Sequence, residues 1–148
     1  MKEAKIVSIE EYRRKHRKSH LRQTKVLIID DNKALRDTLV EMLAKEGIRS
    51  VTAPDGLEAL EILKTEEKKV ILTLLNLKMP VMNGFETFEH IKVMDPQAKI
   101  LIMSGYPRKR AEVLLKCGAL YFLHKPFSCK QFVSAVRYFI FDCCEEEY

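Results

Sequence analysis

Five times between residues 26 and 142 a short run rich in Val, Ile and Leu is followed by a stretch whose apolar residues recur every three or four positions. The runs are VLIID (26–30), IRSVTA (48–53), VILTLL (70–75), KILIMS (99–104) and LYFL (120–123). VILTLL and KILIM lack the polar alternation of a strand with one wet face. They predict strands buried on both sides, in a parallel sheet covered by helices.

The intervening stretches carry helix signals. Asn32 is placed to cap a helix with Leu35, Leu39, Met42 and Leu43 on one face, ended by Gly47. Asp55 is placed to cap a second, with Leu57, Leu60 and Leu63 at helical spacing. A third fits Phe85 to Val93 and stops at Asp95-Pro96, because the residue before proline is pushed away from helical dihedrals. A fourth fits Arg108 to Cys117, before Gly118, and a fifth starts near Ser128 and carries Phe132, Val136, Phe139 and Ile140.

Five strand–helix units with short connections imply right-handed crossovers and an α/β fold, a doubly wound five-stranded parallel sheet. In such sheets ligands bind beyond the carboxyl ends of the strands, where the strand order reverses. For the order 2-1-3-4-5 that crevice lies between strands 1 and 3.

Length and composition narrow the class. The 148 residues suffice for one domain with appendages, and 47% hydrophobic against 32% charged residues suits a soluble protein. No apolar run approaches the roughly 18 residues of a membrane span, and the polar, basic N-terminus has no secretory h-region, so the expected location is the cytoplasm. Cys117, Cys129, Cys143 and Cys144 show no metal-site spacing and are expected to be reduced, partly buried thiols.

Charge separates three segments. Residues 1–25 hold nine Lys or Arg against three Glu, leaving seventeen against eighteen acidic residues in the remainder. Residues 1–24 therefore form a basic arm, helical or disordered, residues 25–142 the domain, and residues 143–148 an acidic tail. SIEE at Ser8 to Glu11 has the form of a capping box. A solvated arm is the plain reading. Docking on an acidic partner comes second, and nucleic-acid binding through residues 13–25 third, since Tyr12 is the arm's one stacking aromatic.

Candidate chemistry gathers where the strands end. Strand 1 ends in Asp30-Asp31, strand 3 at Asn76, strand 4 in Ser104-Gly105, and strand 5 leads to Lys125-Pro126. Adjacent carboxylates repel, and a hard cation such as Mg²⁺ is the simplest way to keep both ionised. A lysine and a hydroxyl at neighbouring strand ends suit phosphoryl oxygens. Singly, each feature has a plain structural reading as a cap, a turn or a Lys-Pro loop; together they describe a phosphate and magnesium site.

The series LIIDDN, LLNLKMPVMNG, IMSGYP and FLHKPF, in that order and spacing, closely resembles the response regulator receiver domain, a flavodoxin-like fold, over about residues 25–142. The resemblance implies that Asp30, Asp31 and the backbone carbonyl of Lys78 bind Mg²⁺. It implies that Ser104 and Lys125 hold the phosphoryl group, that Ser104 and the aromatic Phe122 form the switch, and that the Lys125-Pro126 bond is cis. It places Asn76 at the phosphoacceptor, where the family has Asp.

An amide does not make the acyl phosphate that a carboxylate makes. Phosphotransfer is therefore expected to be absent, and Mg²⁺ binding weaker for the loss of one negative charge. Asn76 arises either by natural divergence, giving a phosphorylation-independent interaction module, or by replacement of Asp in an ordinary receiver. With only DCCEEEY after Phe141, the expectation is a single-domain regulator and not an enzyme. By resemblance its partners are a sensor histidine kinase or phosphotransfer protein and a target docking on the face of helix 4, strand 5 and helix 5. Tyr138 and Phe141, off the main apolar stripe, are the interface candidates there. Asn83-Gly84 is the expected deamidation site, because glycine least hinders backbone attack.

Overall fold

In the computed structural model, residues 24–66 and 69–142, together with Ser8 and Glu11, are described. Strands β1 (Lys25–Ile29), β2 (Ser50–Ala53), β3 (Val70–Asn76), β4 (Ile100–Ser104) and β5 (Tyr121–His124) alternate with helices α1 (Lys33–Lys45), α2 (Gly56–Glu66), α3 (Gly84–Met94), α4 (Arg108–Lys116) and α5 (Cys129–Arg137). All strand pairs are parallel and the sheet order is β2-β1-β3-β4-β5.

The absence of polar alternation in the strands has its explanation in two cores. Leu27, Ile29, Leu75, Ile100, Ile102 and Phe122 face α2, α3 and α4, meeting Ala59, Leu63, Phe88, Ile91, Ala111 and Leu114. Their sequence neighbours Val26, Ile28, Leu74, Leu101, Met103 and Leu123 point the other way, toward Leu39 and Leu43 of α1 and Phe132 and Val136 of α5. Successive strand side chains alternate faces, so a sheet covered on both sides requires apolar residues at every position. Burying a side chain such as Leu27 or Phe132, both fully enclosed, contributes about 1.5–3 kcal/mol.

The caps form as expected. Asn32 Oδ1 accepts from the backbone N–H of Leu35 at 3.1 Å, Asp55 Oδ1 from Glu58 at 2.9 Å, and Ser128 and Gln131 complete a reciprocal capping box. Gly47 takes φ +72° just past α1, the left-handed turn that lets the chain leave a helix. In the basic arm, the Glu11 N–H donates to Ser8 Oγ at 3.1 Å. Whether the rest of the arm is helical, and the whole acidic tail with Cys143 and Cys144, lies outside the described residues.

Several sequence expectations are corrected. β2 begins at Ser50 rather than Ile48, because Ile48 N–H still closes α1 on Leu43 O. β3 extends one residue past the apolar run VILTLL to end at Asn76 as expected, and Asn76 pairs in register with Met103. α5 ends at Arg137, and Phe139 and Ile140 belong to a π-helical turn, Tyr138–Asp142, that keeps Phe139 buried while leaving Tyr138 exposed. Leu57 is exposed, because the inward stripe of α2 is Ala59, Leu60 and Leu63. Cys117 and Cys129 are free thiols and exposed rather than partly buried, since both stand at helix ends facing water. Phe141 is half-buried and packs against the core, with the Arg137 guanidinium 5.4 Å from its ring centre. Among the described residues no helix is long and apolar enough to cross a membrane.

Candidate functional site at the carboxyl end of the sheet

β1 lies between β2 and β3, so the strand order reverses there and a crevice opens where β1 and β3 end. Asp30 and Asp31 follow β1, and Asn76 closes β3. Asp30 is fully buried although it carries a carboxylate. Burial of an unpaired charge is costly, and the partners are present: Oδ1 accepts from the Asn32 N–H at 2.9 Å and Oδ2 from Lys125 Nζ at 2.5 Å. Arg36, one turn into α1, donates to the Asp30 carbonyl at 2.6 Å.

Asn76 joins the remaining elements. Its Nδ2 donates to the Lys78 carbonyl at 2.9 Å and to Asp31 Oδ1 at 3.2 Å, while its Oδ1 accepts from Lys125 Nζ at 3.2 Å. This amide orientation is set by complementarity: turned about, the NH₂ would face the ammonium and the oxygen would face two other oxygens. Five of the residues singled out in the sequence (Asp30, Asp31, Asn76, Lys78 and Lys125) thus share one hydrogen-bonded network.

Ser104 and Phe122 stand beside the network without joining it through their side chains. Ser104 is buried; its carbonyl accepts from the Lys125 N–H at 2.8 Å, and its hydroxyl oxygen accepts from the Tyr106 N–H at 3.0 Å. Phe122 is turned inward against the α2–α4 core, its ring centre 6.0 Å from that of His124. The Lys125-Pro126 peptide bond is cis.

The loop that presents Lys78 is tightly built. Met82 N–H donates to Pro80 O at 2.8 Å, closing a three-residue turn in which Val81 takes φ +69°. Gly84 N–H then returns to Leu77 O at 2.7 Å. A β-carbon on Gly84 would lie 2.3 Å from the Asn76 carbonyl oxygen and 2.5 Å from Leu77 Cα, so the start of α3 reaches β3 only with glycine there. Three contributors escaped the sequence reading: Arg36, the Asn32 N–H and the Tyr106 N–H. Arg36 has a readable signal, a cation four residues after an N-cap that directly follows two carboxylates. The other two are backbone groups without a side-chain signature.

The residue pattern and geometry agree with a known family. The response regulator receiver domain matches residues 26–137. This chain belongs to that family.

Two relatives of similar length are sporulation initiation phosphotransferase F of Bacillus subtilis, 33% identical over 117 residues and covering 78% of this chain and 93% of that protein, and the chemotaxis protein CheY of Thermotoga maritima, 33% identical over 115 residues and covering 76% and 94%. Other relatives are longer; the chain spans 23% of the transcriptional regulatory protein ZraR of Klebsiella oxytoca. Among solved structures, a CheX-CheY-BeF3-Mg+2 complex from Borrelia burgdorferi aligns with a TM-score of 0.74 and 27% identity, covering 77% of this chain and 87% of that one. The receiver domain of two-component signalling is therefore the function of residues 26–137 at family level.

That neighbour contains Mg²⁺, and the resemblance names the oxygens that would take it here. The arrangement in this chain does not fit the ion as it stands. Of the three implied ligands, Asp31 Oδ1 and the Lys78 carbonyl each face an N–H of Asn76, and Asp30 is bonded to Asn32 and Lys125. Among the described residues no group of three or more His, Cys, Asp or Glu side chains gathers around a common point.

Proposed function

We propose that this receiver works by contact with other proteins and that Asn76 keeps it from accepting a phosphoryl group. The observation that carries this reading is the carboxamide at the end of β3, bonded on both sides at the position where a receiver needs a nucleophilic carboxylate. In ordinary receivers a carboxylate oxygen forms the new bond to phosphorus as the donor's bond to phosphorus breaks, giving an acyl phosphate. An amide oxygen carries far less charge and its nitrogen lone pair is delocalised, so neither atom supplies that nucleophile.

In this reading Asp30, Asp31 and the Lys78 carbonyl occupy metal-binding positions with Mg²⁺ affinity lowered by Asn76. Lys125 and Ser104 occupy phosphoryl-binding positions, and Phe122 with Ser104 the switch. The protein is then a binding module rather than a catalyst of its own phosphorylation. Its upstream partner is a sensor histidine kinase or a phosphotransfer protein, a role supported by the name of the Bacillus relative. Its output is a protein docked on the α4–β5–α5 face, where Val113, Tyr121 and Tyr138 are exposed. The CheY complex with CheX supports a protein target.

A second reading, an interaction module whose working state never requires phosphorylation, is favoured by how completely the Asn76 amide is satisfied. Intact mass after incubation with Mg²⁺ and a small-molecule phosphodonor, on this chain and on Asn76→Asp, tests both. A phosphoryl group gained by the Asp variant alone is expected for a receiver silenced at one residue. Failure of both supports the second reading, and phosphorylation of the chain on an aspartate overturns the first.

A further inference from the structure

An amide and a carboxylate have the same shape and differ at one end, where an NH₂ donor takes the place of an acceptor oxygen. A carboxylate at position 76 has acceptor lone pairs on both oxygens, enough for a cation on one side and Lys125 on the other. The Asn76 amide has an acceptor on one side only, and that oxygen is taken by Lys125 Nζ at 3.2 Å. Its other side presents two N–H donors to the Lys78 carbonyl at 2.9 Å and Asp31 Oδ1 at 3.2 Å.

Resting on the receiver reading above, we infer that the Asn76 amide group stands in for the divalent cation, tying Asp31 to the loop after β3 so that the pocket is closed without metal. Among the side chains of Asp30, Asp31 and Lys125, two carboxylates against one ammonium leave a single formal negative charge, which the Arg36 guanidinium on the Asp30 carbonyl offsets further. The partly positive N–H protons of Asn76 are directed at the oxygens that hold the negative charge. To admit Mg²⁺, the amide must release both oxygens. If it turns to offer its own oxygen to the ion, its NH₂ faces the Lys125 ammonium, donor against donor. Mg²⁺ therefore meets a competitor already inside the site, in addition to a reduced charge.

The comparison of Asn76→Ala with the unaltered chain separates the two effects, because both carry the same formal charge and only the latter carries the amide. If charge alone mattered, the alanine variant would bind Mg²⁺ no more tightly, having lost a potential oxygen ligand. With the amide as competitor, it binds Mg²⁺ ~10-fold more tightly, as expected for the release of about one net hydrogen bond.

The experiment is calorimetric Mg²⁺ titration of the full chain, Asn76→Ala and Asn76→Asp. Alongside it, nuclear magnetic resonance follows the Asn76 side-chain amide protons of the unaltered chain. The expected order of affinity is Asp, then Ala, then Asn. Without metal, the Asn76 Nδ2 protons should exchange with water far more slowly than those of exposed Asn32. That measurement stands even if the alanine variant does not fold. Exchange as fast as that of Asn32, or an alanine variant no tighter than the unaltered chain while Asn76→Asp binds, overturns the inference alone. Absence of Mg²⁺ binding by Asn76→Asp overturns the receiver metal site on which it rests, and the inference with it.

Discussion

Lys125 Nζ lies 2.5 Å from Asp30 Oδ2, joining the loop after β5 to the end of β1 across 95 residues of sequence. The Asp30 side chain is 1% exposed and that of Lys125 23%. Removing one partner of a buried pair leaves the other charge desolvated without compensation. Lys125→Ala is therefore expected to lower unfolding stability by about 3–5 kcal/mol, read by urea denaturation. The double change Asp30→Asn with Lys125→Met, which removes both charges, should cost less than Lys125→Ala alone. A loss below about 1 kcal/mol for Lys125→Ala, the level of a surface pair, would show that the pair is not maintained in solution.

Gly84 sets how closely α3 approaches β3. The atoms in the way of a β-carbon belong to the backbone of Asn76 and Leu77, which cannot swing aside as a long side chain would. Gly84→Ala is expected to destabilise by about 1–3 kcal/mol or more and to shift the amide resonances of Asn76 and Lys78. Unchanged thermal unfolding in this variant would contradict the packing described.

Val81 has the opposite relationship to its backbone. It is 75% exposed, so its side chain gains little from burial, yet it holds φ +69°, a region that a β-branched residue enters at a cost of about 1–3 kcal/mol. Val81→Gly is expected to raise stability by roughly 1 kcal/mol after allowing for glycine's greater freedom in the unfolded chain. A midpoint that falls on thermal unfolding would mean that this turn relaxes in solution.

Asn83-Gly84 is a deamidation-prone pair in sequence only. Asn83 Oδ1 accepts from the Glu86 N–H at 3.0 Å and Nδ2 donates to Glu86 Oε1 at 3.1 Å, while the nitrogen that would attack, Gly84 N, is bonded to Leu77 O at 2.7 Å. Peptide mapping after prolonged incubation should find Asn83 deamidating many times more slowly in the folded protein than in the denatured chain. Equal rates would rule out this protection.

The legible parts of the fold were those with local causes. Two-sided apolar runs became central strands, Asn32, Asp55 and Ser128 became caps, and Gly47 and Gly118 took the positive φ that ends a helix. Strand limits moved by one or two residues because pairing with a neighbour, not composition, decides where a ladder runs, as with Ser50 opposite Val26 at the start of β2. The π-helical turn at Tyr138–Asp142 and the exposure of Leu57, Cys117 and Cys129 were not legible, since each depends on which side of an element meets the sheet.

By itself the sequence determined the five βα units, their parallel sheet and the set of polar residues at the strand ends, because hydrophobic period, capping groups and turn residues act over a few positions. It also placed an amide, Asn76, at the end of the third strand. Only the tertiary structure decided what that amide touches. Asp31 and Lys125 lie 45 and 49 residues from Asn76 in sequence, and right-handed crossovers bring all three to one crevice. There, donors must face acceptors in a space that water does not freely fill, and this complementarity turns the Asn76 nitrogen toward Asp31 and Lys78 and its oxygen toward Lys125.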